Sequence, residues 1–442
     1  FLAGRHASWG AVGASFFASN IGSDSLVGLS GNGARYGLSV ALFDWASPLF
    51  FLLLGWVFSP LYTASGAFTT PEWAQRRFSG HVRIYLAAIS LALYVLTKLS
   101  LSLVAGGVVL RVLLGWDLWV AMGALVSVTG VYVVVGGMAA VIATEVVQTV
   151  VLLAGCCVLA ALSLSAVGGV GGLPDALTHT LAHTHGNATA AAAAADMLHL
   201  FPDTLSGHLD DGEFPYPLWG MLLGYPFLAG WFHCTDQEMV QRGLAARSDA
   251  DAKAGCVMAG FLKLLVPIGF VVPGICARAL YGRSLATGAD GYDAAFPLLV
   301  ARLMPPGLLG LMVAAMLAAL MSTLASTFNS SSTLFTMDIY SRCRPHASDR
   351  EQVLVGRIVA AAMVVAALAW VPAIHHAGST LYIAVQSVIA HAAPPIAATF
   401  VMGAFAPRVN ARGAMCGMVV GHIAGAARLA AVVAASASDG GG

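Results

Sequence analysis

Charge is what this sequence has least of. Only 10% of its 442 residues are Asp, Glu, Lys or Arg, against about 25% in an ordinary soluble domain. A soluble chain of this length buries a large core but still needs a polar surface. There are too few charges here to make one, so lipid must be the solvent for the remainder. The charge present is balanced, 21 basic against 21 acidic residues, which gives no reason to expect nucleic acid. No C-x-x-C pair occurs, and cysteines such as Cys156, Cys157, Cys256 and Cys416 fall in apolar stretches. They read as small buried side chains, not a disulfide or metal framework. No G-x-S-x-G, H-E-x-x-H or Walker loop is present, so no enzymatic constellation, catalytic residue or cofactor is expected. The chain starts at Phe1 with no signal segment, and its N-terminus reads as truncated.

What is abundant is apolar. Hydrophobic residues make up 58% of the chain, and the mean hydropathy is +0.82. A spanning helix needs about 20 mostly apolar residues. Eleven candidates run over 9–33, 38–62, 82–111, 117–135, 138–168, 215–237, 254–278, 297–335, 354–372, 378–402 and 412–436. The eighth is too long for one span and should end in an interfacial turn near Thr336–Tyr340. Basic residues alternate by side. One set of loops holds Arg76, Arg77 and Arg83; Arg242, Arg247 and Lys253; Arg342, Arg344 and Arg350; and Arg408 and Arg412. The other set holds mainly Arg111, Arg278 and Arg283. The positive-inside rule makes the first side cytoplasmic. That puts the N-terminus of this fragment in the cytoplasm and the long loop 170–214 outside. The loop contains the glycosylation sequon Asn187-Ala188-Thr189, which agrees with that side. It also holds an alanine tract and His179, His183, His185, His199 and His208. A zinc site is conceivable, but the irregular spacing favours a flexible loop.

Two spans are interrupted. The first packs Ser19, Asn20, Gly22, Ser23, Asp24 and Ser25 into its middle, and the sixth carries Gly224, Tyr225, Pro226 and Gly230. Non-helical backbone at membrane depth is tolerated only inside protein or against a cavity. The two are five spans apart and run in opposite senses, the signature of an inverted five-helix repeat with a midplane site. The repeats would be 9–168 and 215–402, with an additional helix at 412–436, all within one transporter domain, 1–442. The eighth span adds hydroxyls at Ser322, Thr323, Ser326, Ser330 and Thr333. Oxygens of this kind, with carbonyls from a broken helix, replace the water shell of an alkali cation; they also satisfy their own helix backbone. Ionisable residues inside spans default to functional hypotheses. Here they are Asp24, Asp44, Lys98, Glu145 and Lys263. Asp44 beside Trp45 suits a sugar contact, Glu145 a gate or ion exit path, and either lysine can equally be a structural partner for an acid. No cytoplasmic loop is long enough for a nucleotide-driven motor, so an ion gradient is the expected energy source.

The stretches GASFFASNIGS, TTPEWAQRRFSG, GGMAAVIATEVVQTV, WFHCTDQEMVQRGLAA and LMVAAMLAALMSTLASTFNSSSTLFTMDIY resemble the sodium/solute symporter family, and within it the animal sodium/glucose cotransporters. The resemblance covers almost the whole chain. It implies an all-α polytopic membrane protein with the leucine-transporter-like fold, two inverted five-helix repeats. It implies a sodium site of Ala18, Ile21 and Ala319 carbonyls with Ser322 and Thr323 hydroxyls. It implies a sugar site of Asn20, Ser25, Asp44, Phe232, His233, Lys263 and Gln386, with Phe43 and Tyr382 as outer gate aromatics and Phe232 at the inner gate. Ser25 stands where the glucose carriers have a longer His or Gln. Asp44 replaces a Glu, His233 a Trp, Ala229 a Thr and Asp24 a Gly. The expected function is sodium-coupled symport of a monosaccharide, with inositol or another small solute as alternatives; Lys263 keeps an anion open, and a sugar-gated sensor without coupled transport is a further class. Expected partners are sodium as co-transported ligand, a sugar or polyol, and lipid; an accessory membrane subunit stays open. A multi-pass plasma-membrane location follows.

Overall fold

The computed structural model describes residues 6–22, 24–185, 187–201, 219–288, 290–375 and 381–439. At residues 24, 131, 132, 134–140, 184, 185, 187, 188, 367, 370–375, 381–384, 433 and 435–439 it describes backbone alone. Among these residues the chain is helical throughout, with one isolated β-bridge between Ala7 and Ala246. Seven helical stretches are long and apolar enough to cross a membrane: Ser25–Ser65, Gly80–Leu114, Val141–Ala166, Asp249–Thr287, Pro306–Cys343, Val385–Phe405 and Ala411–Val432. Large apolar side chains such as Leu49, Val150 and Val420 stand exposed on these rods. A monomer in water would not present so many, and lipid accounts for them.

Helix α1 (Trp9–Ser19) ends at Asn20, and helical backbone resumes as the π-helical Asp24–Leu29. The first break is therefore where the polar cluster predicts it. Helix α2 (Leu42–Leu53) carries Asp44 in its first turn. Helix α3 (Leu118–Ala166) has 49 residues and covers both the fourth and fifth expected spans. It cannot be straight. The ideal Cβ of Gly155 would fall 2.6 Å from the Met312 sulfur, and Ser322 Oγ donates to Glu145 Oε1 at 3.1 Å. So residues 145–155 run antiparallel to 322–312. A straight continuation would carry Leu125 alongside residue 342, about 30 Å from Glu145. Instead Leu125 packs where Leu320 does, both beside Gly106. The element therefore bends between 125 and 145.

Helix α4 (Gly169–His185) and a second helix, Asn187–Leu198, correct the expectation of a flexible loop at 170–214, as far as 201. Alanine is the strongest helix former, and Leu173, Leu177 and Leu181 make a buried stripe at helical spacing. Residues 202–214 and the Asn187 side chain lie outside the description. The sixth span is also corrected. Helical backbone passes through Pro226, at the junction where the π-helical Gly220–Gly224 runs into Tyr225–Gly230, and the wider turn before it accommodates the missing N–H. The break comes later, at Asp236, whose backbone is extended (ψ 130°). Helix α5 (Asp249–Lys263) packs on α1 through small residues. A Cβ on Gly13 would meet the Gly255 carbonyl at 3.1 Å, the close approach that membrane helices use. Helix α6 (Val272–Thr287) continues it. The expected span 297–335 is split by the extended Pro305; α7 (Pro306–Thr333) starts there and runs on as a π-helix, Leu334–Tyr340. Four cysteines are buried, but Cys157, Cys343 and Cys416 are exposed, which corrects Cys157 and Cys416. Both lie on apolar rods, where the outer face meets lipid.

Candidate functional site

The break after α1 is held from three sides. Gly22 lies so close to α7 that a Cβ there would stand 2.0 Å from Thr323 Oγ1. Asn20 donates its amide to the Phe16 carbonyl at 3.0 Å. Its own carbonyl accepts from Lys263 Nζ at 3.3 Å and from Ser25 Oγ at 3.3 Å. Lys263 also forms a buried ion pair with Asp44 Oδ1, while Asp44 Oδ2 is buried with no partner. Both lysine and carboxylate are nearly water-free, so each neutralises the other at a point where neither could stay charged alone.

One cavity opens over this break, with about 910 Å³ of space including its mouth. Asn20, Phe43, Asp44, Phe232, His233, Lys263 and Gln386 all line it. The structure thus brings together the expected substrate residues from five separate stretches, except Ser25, which is fully buried behind the break. The Tyr382 and Asp24 side chains lie outside the described residues. His233 Nδ1 contacts the Ala229 carbonyl at 3.0 Å, and Nε2 is buried without a partner. Its ring stacks on Phe50 at 6.0 Å and meets Phe232 edge-on at 5.1 Å. Sequence reasoning missed Tyr225, which lines the cavity, donates to the Phe43 carbonyl and meets the Phe43 ring edge-on at 4.9 Å. Its position beside Pro226 marked a kink and hid a wall.

Of the candidate cation residues, Thr323 lines this same cavity. Ala18, Ile21 and Ala319 share a small cavity with Phe17, Gln148, Thr149 and Leu152. Ser322 and Thr323 follow on α7. Each hydroxyl donates its proton within the protein, Ser322 to Glu145 and Thr323 to the Ala319 carbonyl at 3.1 Å, which keeps the oxygen lone pairs for a cation. The oxygen set suits a hard cation.

A buried ionic network begins in the wall of the first cavity, which Lys98 and Glu238 also line. Lys98 Nζ sits 2.8 Å from Asp236 Oδ2 and 2.7 Å from Glu238 Oε2, so its role is pairing. Asp236 caps the helix Gln237–Leu244, accepting from the Glu238 N–H at 2.8 Å. The Tyr94 hydroxyl binds its Oδ1 at 2.7 Å. Arg242, counted from sequence as a loop cation, is 1% exposed. It donates to Glu145 Oε1 at 2.7 Å, Ser326 Oγ at 2.6 Å and the Glu238 carbonyl at 2.6 Å. The run Asp236-Gln237-Glu238 carried an N-cap signature that would have located this helix start.

A model of the sodium:solute symporter family matches residues 1–421. Sodium/glucose cotransporter 2 of Rattus norvegicus is 44% identical over 97% of this chain and 66% of its own. Sodium/myo-inositol cotransporter 2 of Mus musculus is 41% identical over 97% of this chain and 65% of its own. The chain therefore spans about two thirds of the length of these relatives. Among solved structures, a Na+-coupled sialic acid symporter in a substrate-bound outward-open state superposes with a TM-score of 0.76 at 20% identity, over 96% of this chain and 91% of the other. Mhp1, a nucleobase-cation-symport-1 family transporter, gives 0.51 at 13% identity, over 97% and 94%. At such identities the likeness is one of fold alone.

Proposed function

The chain belongs to the sodium:solute symporter family, and from that premise we propose that it carries out sodium-coupled secondary active symport of a monosaccharide by alternating access. The observation that carries the reading is the meeting of Asn20, Asp44, His233, Lys263 and Gln386 in one cavity at the break of α1, with the oxygen-rich face of α7 behind it. A concave site with apolar and aromatic walls and a few convergent polar groups suits a small ligand. Its ion pair and aromatic walls suit a neutral polyhydroxyl solute that donates to Asp44 and lies against the rings. A cyclic polyol is the second reading; the 41% identical sodium/myo-inositol cotransporter favours it.

Sodium would bind between Ala18, Ile21, Ala319, Ser322 and Thr323. The Ser322 and Thr323 protons can stay on Glu145 and the Ala319 carbonyl while the oxygen lone pairs meet the ion. An ion that meets all five oxygens only when α7 lies against the break favours that conformation over the other, which is the physical content of coupling. Phe43 and Tyr382 would close the outer side and Phe232 the inner. The two halves, 9–168 and 215–402, would be inverted repeats rocking about the site. In this arrangement the N-terminus of the chain is cytoplasmic, the membrane is the plasma membrane, and Asn187 is a glycosylation site outside.

The double substitution Ser322→Ala with Thr323→Ala tests the ion assignment. Uptake should need about tenfold more sodium for half-saturation, since two of five oxygens are lost. Discrimination between sugars at saturating sodium should be unchanged. A sodium dependence equal to the parent's would remove these residues from the ion site.

A further inference from the structure

Helix α4 has a face that transport does not use. Its buried stripe is Leu173, Leu177 and Leu181, and Thr180 ties it to α6 by donating to the Ala279 carbonyl at 2.7 Å. Two residues further round, on the opposite side, Asp175, His179 and His183 are all exposed. They repeat every fourth residue, so they stand one above another on adjacent turns. The two imidazoles touch, with ring centroids 5.4 Å apart at 86°.

We propose that this face binds one divalent transition-metal ion through His179 and His183. Side chains four apart on a helix have Cβ atoms about 5–6 Å apart, the separation at which two imidazoles can turn a nitrogen each onto one ion. Imidazole suits zinc, copper and nickel. The helix is what makes the pair a chelate. In a flexible loop each histidine would bind alone, whereas on a docked helix the second ligand is supplied at high effective concentration. Asp175, one turn earlier, adds a negative charge on the same exposed face, which favours a cation. Among the described residues no group of three or more His, Cys, Asp or Glu is placed to hold a metal. Two protein ligands leave coordination positions open to water, as in an exchangeable site.

The test uses the purified full chain in detergent, carrying no polyhistidine tag, titrated with Cu2+ and followed by electron paramagnetic resonance. The expected result is one site per chain whose nitrogen modulation reports two imidazoles. His179→Gln and His183→Gln should each weaken it by about tenfold or more, while His185→Gln and His199→Gln leave it unchanged. A spectrum with a single imidazole, or an affinity that His179→Gln and His183→Gln leave unaltered, would overturn the proposal. Both histidines are exposed on a helix held by the leucine stripe, so the variants should fold; an unchanged melting temperature without metal checks this.

Discussion

Replacing Arg242 with methionine is expected to destabilise the protein by about 3–5 kcal/mol, the usual cost of removing one partner of a buried ion pair. The substitution keeps most of the side-chain volume. It leaves Glu145 at 0% exposure with no cation beside it, and strips a donor from the Ser15 and Glu238 carbonyls and from Ser326. Water cannot reach the carboxylate to replace what is lost. Thermal unfolding in detergent should show a large fall in melting temperature, or no folded protein should be recovered. The paired variant Glu145→Gln with Arg242→Met removes both charges and should regain at least half of the loss, because a neutral amide is far cheaper to bury than an unpaired carboxylate. If Arg242→Met melts with the parent, the network contributes nothing to the fold and the argument from burial fails.

The second large effect is at Asp44. Its carboxylate holds Lys263 through one oxygen, keeps the other buried and unpartnered, and belongs to the cavity wall. Asp44→Asn should lower apparent substrate affinity roughly ten- to hundredfold, from the loss of one charge-assisted hydrogen bond of about 1.5–3 kcal/mol. The sodium needed for half-saturation should change little, because Ser322 and Thr323 are untouched. Lys263→Met in the same background should return some stability by removing the cation left unpaired. Transport kinetics over a range of sugar concentrations at saturating sodium give the answer. Parent-like sugar dependence in folded Asp44→Asn protein would take Asp44 out of the site.

Much of this was legible in the chain, for identifiable reasons. The break after α1 was visible because Asn20, Gly22 and Ser25 are too polar to sit together mid-span unless the helix gives way. The hydroxyl-rich face of α7 was visible as spacing. Other features were hidden because hydropathy records composition and not direction. Arg242 reads as a cytoplasmic loop cation, yet it is folded into the core by Glu145, some hundred positions away. The sixth span's proline announced a break that the wider turn before it absorbs, while the true break sits at the capping residue Asp236. The alanine tract read as low complexity, although alanine is also what a helix wants most. Ser25 was assigned to the cavity by motif position. A side chain that short turns back onto the Asn20 carbonyl instead of reaching across.

The identity of the solute rests on the wall of one cavity, and its energy source on the ion site beside it. Both meet in a single measurement: uptake of labelled sugars and polyols into vesicles containing the chain, with and without an inward sodium gradient. The account predicts accumulation of a neutral sugar or polyol above the outside concentration only while the sodium gradient lasts, abolished when sodium is replaced by choline. Accumulation that ignores sodium, or sugar-evoked current with no accumulation, would contradict it.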